Sequence, residues 1–302
     1  MNSPIKAIYA ASLTPLTKSL EPNIPELINH VKWLLKSGSN GVALLGSTGE
    51  ANSMTIEQRL KIIQKSAKQL PQEKLMIGTG SCAIRDSIKL TRASVDAGVY
   101  TVLVLPPFYY KPLSDESILR YFSELVSCIE EPKLRIIFYN FPKLSGYNFS
   151  INILKKLKQE FGKIASGIKD SSSEWENIIS LVQNIKDFKV YAGTETFLLD
   201  TLNIGGAGCI SASVNLTSIE CQKVFQAWNM QEKDSAKEAQ KKLSKLRKIL
   251  EIHPFIPGLK GLFYNHTNLD TWKNMLPPFF PLLSNQIDSL ELKLKEFGLD
   301  LN

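Results

Sequence analysis

The chain has 302 residues, 43% of them hydrophobic and 22% charged, an ordinary globular balance that suits one large α/β unit with a small appendage. No apolar run approaches the roughly 18 residues of a membrane span, and Met1-Asn2-Ser3-Pro4-Ile5-Lys6 lacks the charged-then-apolar layout of a secretory leader. The net charge of +7 does not point to nucleic acid, because the lysines are scattered and their densest group, 233–248, reads as the solvated face of one amphipathic helix.

A first strand is expected at 7–13, stopped by Thr14-Pro15, and a helix at 24–35 with Pro25 in its first turn, where a missing N–H costs nothing. The run Gly41-Val42-Ala43-Leu44-Leu45-Gly46 has the continuous apolarity of a strand buried on both faces. A helix follows from about 55 to 68, opened by a capping box of Thr55 and Gln58. The alternation repeats with strands at 75–78, 100–105, 134–139, 164–170, 188–193 and 208–211. The intervening helices fall at 84–96, 115–129, 150–161, 175–185 and 197–202, and another begins at 218.

Eight strand-helix units predict a (β/α)₈ barrel. A doubly wound sheet would want a Gly-rich turn after an early strand, and Gly78-Thr79-Gly80, without a third glycine, is the only approach to one. Beyond about 234 the pattern turns helical, at 236–250, 259–264 and 288–297. The expected organisation is a catalytic barrel over 1–230 with a helical extension over 231–302 packed on it. Cys82, Cys128, Cys209 and Cys221 show no CxxC or metal-ligand spacing. Three of them lie in apolar stretches, so a reducing cytoplasm is the simplest location.

In such a barrel the site lies at the C-terminal ends of the strands. The sixth strand ends in Gly167-Ile168-Lys169-Asp170, where the apolar flank buries a lysine. Lysines at strand ends commonly snorkel to solvent; one kept inside is a candidate amine nucleophile for a ketone. The second strand ends in Gly46-Ser47-Thr48-Gly49-Glu50, whose hydroxyls and backbone N–H groups between glycines suit a carboxylate, although Ser and Thr also serve ordinary turns. The fifth ends in Tyr139-Asn140-Phe141-Pro142, with a phenol aimed across the barrel mouth. The fourth ends in Pro106-Pro107-Phe108-Tyr109-Tyr110, aromatics fit for a pocket or a subunit contact.

Together GSTGE (46–50), YNFP (139–142) and GIKD (167–170), in that order and spacing, resemble the signature set of the dihydrodipicolinate synthase/N-acetylneuraminate lyase family. Gly205-Gly206-Ala207-Gly208 and Gly258-Leu259-Lys260-Gly261 extend the resemblance over nearly the whole chain. It implies a pyruvate-dependent class I aldolase, a homotetramer with no metal or organic cofactor. Lys169 would form the Schiff base with pyruvate or another 2-keto acid. Ser47, Thr48 and Gly49 would hold the carboxylate, with Ile210 beside them. Tyr139 would be the general acid/base, joined in a proton relay by Thr48 and by Tyr109 across a dimer interface.

Two branches of that family fit less well. Dihydrodipicolinate synthases usually carry an arginine two residues after the YNxP proline; here that position is Leu144, which cannot grip a carboxylate, and neighbouring Lys143 is a poor substitute. Neuraminate lyases share the Leu144-Ser145-Gly146 pattern, but their acidic pair after the seventh strand appears here as Glu195-Thr196. The preferred expectation is an aldolase of 2-keto-3-deoxy sugar acids that joins pyruvate to an aldehyde, with Ser171, Ser172, Thr194, Glu195 and Ser213 as candidate hydroxyl-binding residues. Dihydrodipicolinate synthase, neuraminate lyase, a keto-deoxy sugar acid dehydratase and a silent keto-acid-binding barrel are the alternatives.

Overall fold

A computed structural model of the chain describes residues 6–299. The leader reading at 1–5 and the outer limits of the 1–230 and 231–302 units lie outside the described residues. Eight parallel strands close into a barrel in sequence order: β1 (Ala7–Ala11), β2 (Gly41–Leu44), β3 (Leu75–Gly78), β4 (Thr101–Val104), β5 (Arg135–Asn140), β6 (Ala165–Asp170), β7 (Lys189–Ala192) and β8 (Gly208–Ser211). Each is followed by helix: α1 (Ile24–Lys36), α2 (Ile56–Gln69), α3 (Ile84–Asp96), α4 (Asp115–Ile129), α5 (Pro142–Ser145) with α6 (Ile151–Phe161), α7 (Trp175–Asn184), α8 (Leu198–Asn203) and α9 (Val214–Asn229). The C-terminal extension adds α10 (Lys233–Leu250), α11 (Phe255–Thr267) and α12 (Ser284–Glu296). This is the (β/α)₈ barrel that the alternation predicts.

The strands are largely apolar because both faces are covered. Outward residues such as Ile8, Val42, Ile77, Val102, Phe138 and Val190 pack on the helices. Inward residues, among them Ala11, Ala43, Met76, Leu103, Ile137 and Ile210, fill the barrel. The period-two alternation of a strand sorts the two sets. Gly78 and Gly80 answer the doubly wound alternative. A Cβ on Gly78 would meet the Leu45 carbonyl oxygen at 2.0 Å, and one on Gly80 the Leu105 nitrogen at 2.6 Å. These glycines let neighbouring backbone pack against the end of β3, and Arg59 Nη2 donates to both their carbonyls at 3.1 Å.

Local signals act as read. Thr55 Oγ1 accepts from Gln58 N at 3.2 Å while Gln58 Oε1 accepts from Thr55 N at 3.0 Å, closing the capping box of α2. Helix α9 starts four residues earlier than its periodicity indicates. Val214, Asn215, Leu216 and Thr217 are all buried, so they carry no amphipathic contrast, and the helix kinks at Thr217 (φ −103°, ψ 19°). Helix α11 likewise reaches back to Phe255, with Pro257 in its first turn. Helix α10 buries Ala236, Leu243, Leu246, Ile249 and Leu250 and turns most of its lysines to solvent.

The extension is seated on the barrel through a second apolar cluster, in which Leu13 and Leu216 meet Leu246, Leu250, Leu259, Phe263 and Trp272. The reading of three apolar cysteines is corrected: Cys209 and Cys221 are buried, but Cys128 is half-buried at the outer end of α4 and Cys82 is exposed. Among the described residues no helix is long and apolar enough to cross a membrane.

Candidate active site

Register at the barrel mouth aligns Tyr139 of β5, Lys169 of β6 and Tyr191 of β7 as successive neighbours. All three side chains are buried, Lys169 to 5% exposure. Lys169 Nζ lies 4.3 Å from the ring centroid of Tyr139. Among the described residues it makes no hydrogen bond and no ion pair, so the amine is held by packing alone and opens into a cavity of about 450 Å³. Burial, with Tyr9 stacked edge-on at 5.8 Å, pushes the Tyr191 phenol well above its ordinary range.

One residue further along, the strand ends are tied together. Asn140 Nδ2 donates to Asp170 Oδ1 at 2.7 Å, and Ser172 Oγ donates to Asp170 Oδ2 at 2.8 Å. Asn140 also accepts from Phe149 N at 3.1 Å and donates to Asn148 Oδ1 at 2.8 Å. Sequence reasoning missed this network. The available signal is that Asn140 and Asp170 each follow an inward residue on paired strands, so both turn away from the interior at one level.

The GSTGE segment leaves β2 through Leu45 at φ 58° and closes a tight turn, with Gly49 N donating to Gly46 O and Glu50 N to Ser47 O, both at 3.1 Å. Thr14 Oγ1 donates to Gly49 O at 2.9 Å and pins the turn from β1's side. Neither the Ser47 nor the Thr48 hydroxyl bonds to protein among the described residues, and both line the cavity beside Lys169 and Tyr139.

The far wall comes from the loops after β6 and β7 and from the extension: Ser171, Thr194, Arg247, Glu251, His253 and Phe255. Arg247 stands in the last turn of α10. Its Nη1 donates to Glu195 Oε2 (3.3 Å), Ser211 Oγ (3.1 Å) and Ser213 Oγ (3.0 Å), and its Nε donates to Glu251 Oε1 (2.7 Å). Phe255 stacks on the guanidinium, 4.4 Å from Cζ to ring centroid. Burial works against the charge of Arg247, but Glu195 and Glu251 outweigh it and its pKa is raised.

The structure thus brings Ser47, Thr48, Tyr139, Lys169 and Ser171 to one cavity, with Thr194. The expectation for Glu195 is corrected. Its carboxylate is fully buried outside the cavity, one oxygen accepting from Ser213 and the other from Ser211 and Arg247. Two hydroxyls and a guanidinium saturate it, so it orients Arg247 rather than facing a ligand. Ser213 is consumed in the same cluster, and Ser172 by Asp170. Gly49 and Ile210 are not among the residues that line the cavity. Tyr109 stands apart, 76% exposed, its ring edge-on to Tyr110 at 5.2 Å.

The sequence profile of the Dihydrodipicolinate synthetase family matches residues 4–297. The chain belongs to that family. An uncharacterized DapA-like lyase of Chloroflexus aurantiacus is 30% identical over 292 residues, 94% of each chain. The 4-hydroxy-tetrahydrodipicolinate synthase 1 of Halalkalibacterium halodurans is 28% identical over 301 residues, 96% of each chain. Among solved structures, the E. coli prophage protein YagE, crystallised with pyruvate, superposes with a TM-score of 0.89 at 26% identity, covering 98% of this chain and 99% of its own. Aldolases and lyases make up the family, and the chain is an enzyme of that class.

Proposed function

We propose that the chain is a pyruvate-dependent aldolase of 2-keto-3-deoxy sugar acids, working through a Schiff base on Lys169. The amine of Lys169 adds to the keto carbon and expels water to give an iminium, which withdraws electrons so that a proton leaves the neighbouring carbon. The resulting enamine attacks an aldehyde, whose oxygen takes a proton through Tyr139, and hydrolysis frees Lys169; cleavage is the reverse. Ser47 and Thr48, with hydroxyls uncommitted to protein, hold the keto acid's carboxylate. The pyruvate bound in YagE supports the first substrate.

The choice of second substrate rests on one observation. Among the described residues the far wall offers no uncompensated lysine or arginine: Arg247 is already flanked by Glu195 at 3.3 Å and Glu251 at 2.7 Å. Leu144 is 45% exposed on α5, and neither it nor Lys143 lines the cavity. A second carboxylate would meet net negative charge there, whereas hydroxyls would find both donors and acceptors in Ser171, Thr194, Arg247 and Glu251.

Condensation assays with pyruvate test this choice. Glyceraldehyde is expected to exceed aspartate semialdehyde in kcat/KM by about tenfold or more, and the opposite order would overturn it. That opposite order is the second reading, supported by the name of the Halalkalibacterium relative. We also propose a homotetramer in which exposed Tyr109 and Tyr110 meet a second subunit, where Tyr109 completes the proton relay; light scattering checks the stoichiometry.

A further inference from the structure

The motif Gly258-Leu259-Lys260-Gly261 has no part in the chemistry above, yet its lysine is fully buried. Lys260 crosses from α11 to the cradle loop and forms an ion pair with Glu50 Oε1, both side chains at 0% exposure. Its Nζ also donates to the Asn274 carbonyl at 2.8 Å. The other Glu50 oxygen accepts the Leu276 backbone N–H at 2.6 Å. Ser53 Oγ donates to the Pro277 carbonyl at 2.9 Å, and Asn274 Nδ2 to the Leu16 carbonyl at 2.9 Å.

Glu50 is the residue after Gly49, two beyond Thr48, and it holds a left-handed conformation (φ 59°) that glutamate rarely adopts. A side chain buried by its own turn and tied to a segment more than 200 positions away fixes where that turn sits. The two buried lysines of this barrel end divide cleanly. Among the described residues Lys260 has a carboxylate and a carbonyl, whereas Lys169 has neither.

We propose that the Glu50–Lys260 pair is a clasp through which the C-terminal extension positions the Ser47–Thr48 cradle, making Glu50 and Lys260 positioning residues for the keto acid's carboxylate. The clasp rests on the cradle reading given above. It makes the extension a determinant of keto-acid affinity although Lys260 touches no substrate. Fold stability alone would be served by any apolar filling of the space, since a well-packed hydrophobic replacement of a buried ion pair is commonly neutral or stabilising.

The test is the pyruvate concentration that half-saturates borohydride trapping on Lys169, read by mass spectrometry beside steady-state kinetics. Lys260→Met alone strands a buried carboxylate and Glu50→Gln alone a buried ammonium, so the double variant Glu50→Gln/Lys260→Met, which leaves no charge in this pair, is measured with both. In the double variant the half-saturating concentration and the KM for pyruvate are expected to rise about tenfold or more, with the KM for aldehyde unchanged and kcat changed less than KM. Glu50→Gln, which keeps an oxygen for the Leu276 N–H, is expected to fall between wild type and the double variant. Unchanged half-saturation in the folded double variant would overturn the clasp and leave Schiff-base chemistry standing. A wild-type chain that forms no pyruvate adduct would overturn the cradle reading itself, and the clasp with it.

Discussion

Lys169 reaches from β6 to place its Nζ 4.3 Å from the ring centroid of Tyr139, its register partner on β5. Parallel pairing sets that distance, since residues at one level of adjacent strands that both face inward must meet. The amine therefore lies against the face of the ring whose hydroxyl is the proposed acid/base, and no counter-ion among the described residues competes for it. Packing and proton transfer are separable here, because the ring and the hydroxyl can be changed independently.

Tyr139→Phe keeps the ring and removes the hydroxyl. Turnover is expected to fall by about 10² to 10⁴-fold, while the pyruvate adduct on Lys169 still forms. Stopped-flow kinetics with borohydride trapping separates the two effects. Loss of the adduct together with turnover would show that the hydroxyl is needed for imine formation as well.

Arg247→Met strands the Glu195 carboxylate at 0% exposure with, among the described residues, only Ser211 and Ser213 for company. Breaking one side of a buried pair costs about 3–5 kcal/mol, so the unfolding free energy from urea titration is expected to fall by that much, with a lower midpoint. Glu195→Gln/Arg247→Met, which leaves no buried charge in that pair, is expected to recover most of the loss. Equal loss in both variants would contradict the assignment of Glu195 as the partner of Arg247.

His30 is buried among Trp33, Phe263 and Trp272, with Nε2 donating to Asn215 Oδ1 at 2.8 Å. Burial lowers its pKa from 6.5 to about 4, against the opposing effect of Asn215. Between those values the unfolded chain binds more protons than the folded one. Stability is therefore full above about pH 6.5 and declines as pH falls toward 4, by at most about 1.4 kcal/mol per unit from this group. His30→Gln is expected to flatten that part of the urea-midpoint profile, and an unchanged slope would remove His30 as its source.

The fold was legible because covered parallel strands leave short apolar runs at regular intervals, and helix starts such as Thr55-Ile56-Glu57-Gln58 announce themselves. The near side of the cavity was legible for a related reason: Ser47, Thr48, Tyr139 and Lys169 all fall where strands end. The far side was not. Arg247 lies 78 positions beyond Lys169 on a helix whose visible pattern is an amphipathic lysine stripe, and nothing local marks one basic residue there as turned inward. Glu195 looked available for the same reason, since its partners Ser211, Ser213 and Arg247 meet it only in three dimensions. Lys260 was visible as part of a motif, but its partner Glu50 is 210 residues earlier in the chain.

Whether Lys169 is the nucleophile toward a 2-keto acid is decided by borohydride reduction in the presence of pyruvate, followed by peptide mass spectrometry. A reduced pyruvate adduct is expected on Lys169 in the wild-type chain and none in Lys169→Ala. A folded wild-type chain that yields no adduct, or one that carries it on a different lysine, would rule out Lys169 as that nucleophile.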